Sequence, residues 1–125
     1  MKTVYTEIRK NMADFEKKNE VSLGDGHRLP EVKTLLHVSK LSIVEDRAIM
    51  MDYWTDSIDK KVMIGIKADG KKMLIKNTEE YTSYIEKVFR ISNKETEMND
   101  YIIMTENSIY LVDADIPSKK VSFDE

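Results

Sequence analysis

The chain has 125 residues, of which 41% are hydrophobic and 34% charged, a composition typical of one globular domain and not of a disordered segment. It contains no cysteine, which excludes disulfides, thiolate metal sites and cysteine nucleophiles. Its 20 basic and 23 acidic residues are scattered along the chain, so no sustained basic face is available to neutralise a nucleic-acid backbone.

The first predicted element is an amphipathic helix over residues 2–18. Its apolar side chains are spaced four, three, four and three residues apart, which forms one stripe on a helix: Met1, Tyr5, Ile8, Met12 and Phe15. This repeat is too short to predict a coiled coil, so two uses stay open, docking on a sheet and pairing with a second copy. The segment lacks the apolar run of a signal peptide, and no stretch is apolar enough to span a membrane, which predicts a cytoplasmic protein.

The segment VSLGDGHRLPEV, residues 21–32, is predicted to be the joint between this helix and a strand. Gly24 and Gly26 can adopt the positive φ that ends a helix. Pro30 prevents a helix from continuing and favours an extended conformation at Leu29. We therefore expect this stretch to connect two structural elements.

Two strands are predicted to follow the joint. The sequence TLLHVSKLSIV, residues 34–44, is rich in β-branched and apolar side chains, and its alternation slips once, which indicates a bulge near Ser39 and Lys40. The sequence AIMMDYW, residues 48–54, is predicted to form the second strand.

A hairpin is predicted at the dipeptide Asp69-Gly70, which lies between two alternating apolar runs. A two-residue turn there sets Ile64 opposite Ile75. It also puts five apolar side chains on one face: Val62, Ile64, Ile66, Met73 and Ile75.

The next segment, residues 78–91, is predicted to be a helix. Asn77 or Thr78 can serve as its N-cap, and Glu80 lies three residues beyond Asn77, as in a capping box. A stripe of apolar side chains continues from there: Tyr81, Tyr84, Ile85 and Val88, with Phe89 at its edge.

A final hairpin is predicted over residues 100–113, turning at Glu106-Asn107. Its register puts four apolar side chains on one face: Ile102, Met104, Ile109 and Leu111. The predicted fold is therefore a single α+β domain over residues 1–116, with an antiparallel sheet of about six strands and two helices in the order α-β-β-β-β-α-β-β. Residues 117–125 are predicted to be a tail that can be flexible.

Candidate site residues lie in two short stretches. His27 and Arg28 follow Asp25 in the joint, but Asp25 and His27 alone do not make a metal site. A polar surface turn is the simpler interpretation, and a contact with a partner is the alternative. Tyr53 and Trp54 are neighbours in a predicted strand, so their side chains point to opposite faces. Trp54 is expected in the core, and the alternative is that one of the pair anchors a partner.

The spacing of these groups does not indicate catalysis. His37 is predicted to be a half-buried strand histidine with a hydrogen-bond partner and not a general base, because no nucleophile and orienting acid accompany it. We predict a small non-enzymatic binding or regulatory protein that needs no cofactor or metal and acts through protein contacts, as a homodimer, with partner contacts at His27, Arg28, Tyr53 and Trp54. Two alternatives stay open: an enzyme or small-ligand binder whose polar groups converge only on folding, and an acidic inhibitor or immunity-type partner.

Overall fold

The computed structural model describes residues 27–122, which form two helices and seven strands and confirm the α+β class. In chain order the elements are α1 (Val32–Glu45), β1 (Ala48–Met50), α2 (Trp54–Ile58), β2 (Met63–Ile66), β3 (Lys72–Ile75), β4 (Ile85–Ser92), β5 (Asn99–Thr105), β6 (Ser108–Asp113) and β7 (Ser118–Lys120). The helix predicted over residues 2–18 lies outside the described residues. Neither described helix has the length and apolar character needed to cross a membrane.

The strands form two mixed sheets, with strand order β1-β6-β5-β4 in one and β3-β2-β7 in the other. The predicted purely antiparallel sheet is wrong, because β1 pairs in parallel with β6 and β7 pairs in parallel with β2. Strands β1 and β7 have three residues each and pair with partners far along the chain, so no local turn indicates these parallel pairings. Strand β7 lies in the predicted tail, whose boundary stays a prediction.

The four-stranded sheet separates two hydrophobic cores. The predicted hairpin of β5 and β6 is confirmed, since Met104 lies opposite Ile109 and Ile102 opposite Leu111. Their face packs against α1 and α2 through Val38 and Trp54. The other face of the same strands packs against the three-stranded sheet, in a core made of Tyr53, Val62, Ile64, Leu74, Ile103, Val112 and Ile116. Because both faces are covered, the middle of each strand is a continuous apolar run, Tyr101 to Met104 in β5 and Ile109 to Val112 in β6.

The predicted strand over residues 34–44 is wrong, because this segment lies in helix α1. Thr34 and Val38 are buried four residues apart, and Leu35 and Leu41 pack beside Val38. The slip in alternation is thus the 3.6-residue repeat of a helix and not a bulge. The β-branched side chains favoured a strand, but burial of one helical stripe decides the structure.

The predicted helix over residues 78–91 is also wrong, because β4 occupies Ile85–Ser92. The capping signal is real but closes a turn: Asn77 Oδ1 accepts hydrogen bonds from the backbone N–H groups of Glu79 at 2.8 Å and Glu80 at 3.0 Å. Asparagine satisfies backbone donors equally well in a turn and at a helix start. The chain then enters the edge strand of the four-stranded sheet.

The hairpin between β2 and β3 is present where it was predicted, but its register is shifted by one residue. The N–H of Gly70 donates to the carbonyl of Lys67 at 2.9 Å, and Gly70 has a φ of 87°. This is a three-residue loop with one left-handed residue, not a two-residue turn. Ile64 therefore lies opposite Leu74 and not opposite Ile75. A shift of one residue exchanges the faces of the strand.

The strand predicted over residues 48–54 is confirmed only at its start. Strand β1 ends at Met50, and the chain turns so that Trp54 begins the short helix α2. The order of elements consequently differs from the predicted one, with α2 inserted between β1 and β2.

Candidate functional site

Arg28, one of the four predicted partner contacts, lies in a network of polar groups at the start of α1. Its Nη2 donates to Asp100 Oδ1 at 2.6 Å and to the carbonyl of Asn99 at 3.1 Å. The guanidinium carbon lies 4.9 Å from the centroid of the Trp54 ring, within the range of a cation–π contact. The arginine therefore joins the segment before α1 to strand β5 and helix α2.

Asp100 is the centre of this network, and its side chain is fully buried. Its Oδ2 accepts hydrogen bonds from the backbone N–H of Glu31 at 2.9 Å and from the hydroxyl of Thr34 at 2.7 Å. Helix α1 has no side-chain cap of its own at Glu31, so a carboxylate from β5 takes that place. Sequence reasoning missed this role; the available signal was one acid directly before the apolar run of β5.

His27 and Trp54 tether the same segment to α2. His27 Nε2 lies 2.7 Å from Asp59 Oδ1, and the indole N–H of Trp54 donates to the carbonyl of Arg28 at 2.9 Å. Trp54 is 3% exposed and packs in the core beneath α1. Three predicted site residues are thus brought together, in contacts within the chain. Their role in partner binding stays a prediction.

Tyr53 points away from Trp54 into the other core. Its ring meets that of Tyr110 edge to face, with centroids 5.1 Å apart, and Lys76 Nζ lies 4.4 Å from the Tyr53 centroid. Burial, with smaller contributions from Tyr110 and Asp52, raises the pKa of Tyr53 to about 12. The phenol therefore stays protonated at neutral pH and cannot act there as a base.

His37 is an exposed residue of α1, so the predicted half-buried strand histidine is wrong. Within residues 27–122, no three histidine, aspartate or glutamate side chains are grouped so that they could hold a metal ion. The polar groups that do converge, around Asp100, donate to and accept from one another.

A cavity of about 640 Å³ lies against the three-stranded sheet. Its lining combines lysines with apolar side chains. The lysines are Lys60, Lys61, Lys76 and Lys119, and the apolar residues include Val62, Met63, Ile75, Pro117 and Val121. Lys76 is already engaged, since its Nζ lies 3.2 Å from Asp56 Oδ2. The volume falls in the range of small-molecule sites.

A groove of about 560 Å³ runs between α1 and β4, and we call it the α1–β4 groove. It is lined by His37, Lys40, Leu41 and Val44 from the helix, by Val88, Phe89, Arg90 and Ile91 from β4, and by Ile102 from β5. Val44 is 68% exposed, and Val88 and Phe89 are exposed large apolar residues. This groove is mostly apolar and open to solvent.

Helix α1 also carries apolar side chains on the side that faces away from the sheet. Val32, Leu36 and Ile43 are 40%, 47% and 82% exposed, and we call these three residues the outer stripe. On a helix they fall within about 40° of one another and roughly 140° from the buried Val38. The helix is therefore apolar on two sides, only one of which the described residues cover.

Comparisons with known proteins give no relative: no protein-family model, no curated protein and no solved structure matches the chain.

Proposed function

We propose that this chain is a small non-enzymatic binding or regulatory protein that acts through protein–protein contacts and self-associates through the outer stripe of α1. The observation that carries the proposal is the exposure of Leu36 and Ile43 on a helix whose opposite side is already buried. Apolar side chains grouped at helical spacing on a surface mark an interaction site more often than single exposed ones do. We place this activity in the cytoplasm, without a nucleic-acid or membrane partner.

Two copies of α1 packed antiparallel about a two-fold axis would satisfy the outer stripe. Such an arrangement sets Leu36 of one copy beside Ile43 of the other, twice, and each side chain that becomes fully buried contributes about 1.5–3 kcal/mol. It also brings Lys33 of one copy to the end of the other helix, beside Asp46, where the helix dipole favours a cation. Apolar and charged groups are therefore both complementary.

The test is the mass of the protein in solution, measured by size-exclusion chromatography with light scattering at tens of micromolar. We expect a dimer for the natural chain and a monomer for Ile43→Glu, because a carboxylate at the centre of the interface cannot be buried unpaired. The matched control is Lys87→Glu on β4, which should stay dimeric. A natural chain that is strictly monomeric, or an Ile43→Glu variant that stays dimeric, contradicts self-association through this stripe.

The lysine-rimmed cavity favours a second candidate function, binding of a small anion with an apolar body. Lys61 and Lys119 supply charge at the rim, while Met63 and Val121 supply an apolar floor. Thermal denaturation with a panel of aromatic and aliphatic carboxylates and nucleotides tests it, since a ligand that binds only the folded state raises Tm in a concentration-dependent way. A rise in Tm that Lys61→Ser with Lys119→Ser removes would support this function, and no rise across the panel would contradict it.

A further inference from the structure

We propose that residues 2–18 of this chain occupy the α1–β4 groove as a helix antiparallel to α1. The groove and the outer stripe lie on different sides of α1, so this inference is independent of the proposed self-association. Its basis is the match between a mostly apolar groove that residues 27–122 leave uncovered and an apolar stripe in the same chain, joined to α1 by a short connection.

The sheet has room for a second helix beside α1. Four strands about 4.8 Å apart, together with their side chains, span nearly 20 Å, whereas one helix covers about 10 Å. The short helix α2 packs on the same face beside β6, so the width that stays open is on the β4 side. Helix α1 lies over the central strands, where Val38 packs with Ile102 of β5 and with Ile109 of β6. Strand β4 is at the edge of the sheet, and its face lies beside α1 and not beneath it. Phe89 and Ile91 of this face line the groove.

The spacing of the side chains on the two helices agrees. On α1 the wall of the groove presents His37, Lys40 and Val44, at intervals of three and four residues. The stripe of the N-terminal segment, read backwards, has the same intervals: Phe15, Met12 and Ile8. An antiparallel pair of helices therefore matches Phe15 with His37, Met12 with Lys40 and Ile8 with Val44 in a single register.

The connection is long enough to place the segment there. The described chain begins at His27, which is held near the start of α1 by the contacts of His27 with Asp59 and of Arg28 with Asp100. Residues 19–26 can span up to about 27 Å when extended. From Val32 to His37 the helix rises only about 7.5 Å, so the reach is ample. A short connection between neighbouring helices makes them antiparallel.

The chemistry of the groove suits this occupant. Phe89 and Ile91 offer an apolar floor, and the aliphatic stem of Lys40 can cover apolar neighbours while its ammonium stays in water. The polar side of the predicted helix, which carries Lys10, would face solvent. Both apolar surfaces would then leave water together.

Cysteine pairs test the proposal directly, because the natural chain has no cysteine and every disulfide must come from the introduced pair. In Met12→Cys with Lys40→Cys we expect an intramolecular disulfide after mild oxidation, seen by mass and by faster migration on a non-reducing gel. The matched control is Lys10→Cys with Lys40→Cys, in which the first cysteine lies on the opposite side of the predicted helix. This pair should stay reduced within the monomer.

Every other result overturns the proposal: no disulfide in either pair, equal yields in both, or bonds only between two chains, which would assign the groove to a second copy. The same measurement in an Ile43→Glu background separates it from self-association, because an intramolecular bond there needs no dimer. As a second readout we expect Met12→Ser and Phe89→Ser each to lower Tm. The double variant should lose no more than the larger single loss, because either substitution alone already weakens the packing of the segment against the floor of the groove. Additive losses would contradict this packing.

Discussion

Asp100 shows how a single side chain joins the layers of this fold. It is a fully buried carboxylate at the start of β5, and its donors come from residues 66 to 72 positions earlier in the chain. Burial of a charge is costly unless the charge is paired and hydrogen-bonded, and Arg28 together with the start of α1 meets both conditions. One carboxylate therefore ties the start of α1 to the sheet, in addition to the packing of Val38 in the core.

Replacement of Asp100 by asparagine tests this dependence. In Asp100→Asn one oxygen becomes an amide that faces existing donors. Arg28 also loses the nearer of its two counter-charges, since Asp113 Oδ1 lies farther away, at 3.8 Å. The free energy of unfolding should therefore fall by about 3 kcal/mol. Urea denaturation followed by circular dichroism measures the loss. The control is Asp115→Asn, whose side chain is 79% exposed and which should change stability by less than about 0.5 kcal/mol. Similar values for the two variants would mean that Asp100 is not the anchor.

The raised pKa of Tyr53 predicts how the stability of the protein changes at alkaline pH. Its pKa is raised from 10.0 to about 12 in the folded state by burial first, so its contribution is complete below pH 10 and is lost as pH rises through 12. Across that window the natural chain should lose more free energy of unfolding than Tyr53→Phe, which has no proton to release. Urea denaturation of both chains at a series of pH values measures the gap. A gap that stays constant from pH 10 to pH 12 contradicts a perturbed Tyr53.

At the scale of elements, the sequence predicted those strands whose pairing is local. The hairpin of β5 and β6 was predicted with the correct register, and that of β2 and β3 with the correct position. Two segments were exchanged: β-branched residues made α1 resemble a strand, and a capping pattern at Asn77 made the approach to β4 resemble a helix. Packing against the sheet outweighed local preference in α1, and pairing with β5 outweighed it in β4.

Ser39 provides a test of α1 as a helix. It is exposed at the middle of α1, and its hydroxyl donates to the carbonyl of Leu35 at 2.7 Å, a contact that slightly opposes helix stability. Ser39→Ala should therefore raise the free energy of unfolding by about 0.5 kcal/mol, and Ser39→Gly should lower it by a similar amount. Chemical denaturation of the three chains checks both signs. In a strand, alanine would lower stability as glycine does, so a loss for Ser39→Ala is the contrary outcome.

At the scale of the whole molecule, most of the candidate site could not be predicted, because its parts come from distant positions in the sequence. The α1–β4 groove needs a helix that was predicted as a strand and a strand that was predicted as a helix. The parallel pairs of β1 with β6 and of β2 with β7 likewise join segments that no turn connects. Composition and periodicity indicated an α+β chain with surplus apolar faces, while the faces that stay exposed depend on which layers meet.

Because the two cores are separate, we expect substitutions in them to have independent effects on stability. Ile102 and Ile103 are consecutive residues of β5, both almost fully buried, but they point into different clusters on opposite faces of the sheet. Ile102→Val and Ile103→Val should each lower the free energy of unfolding by about 1 kcal/mol, and because the two cavities share no lining side chains, the double variant should lose about 2 kcal/mol. Urea denaturation of the four chains measures the coupling. A coupling well above about 0.5 kcal/mol would mean that the sheet does not insulate one core from the other.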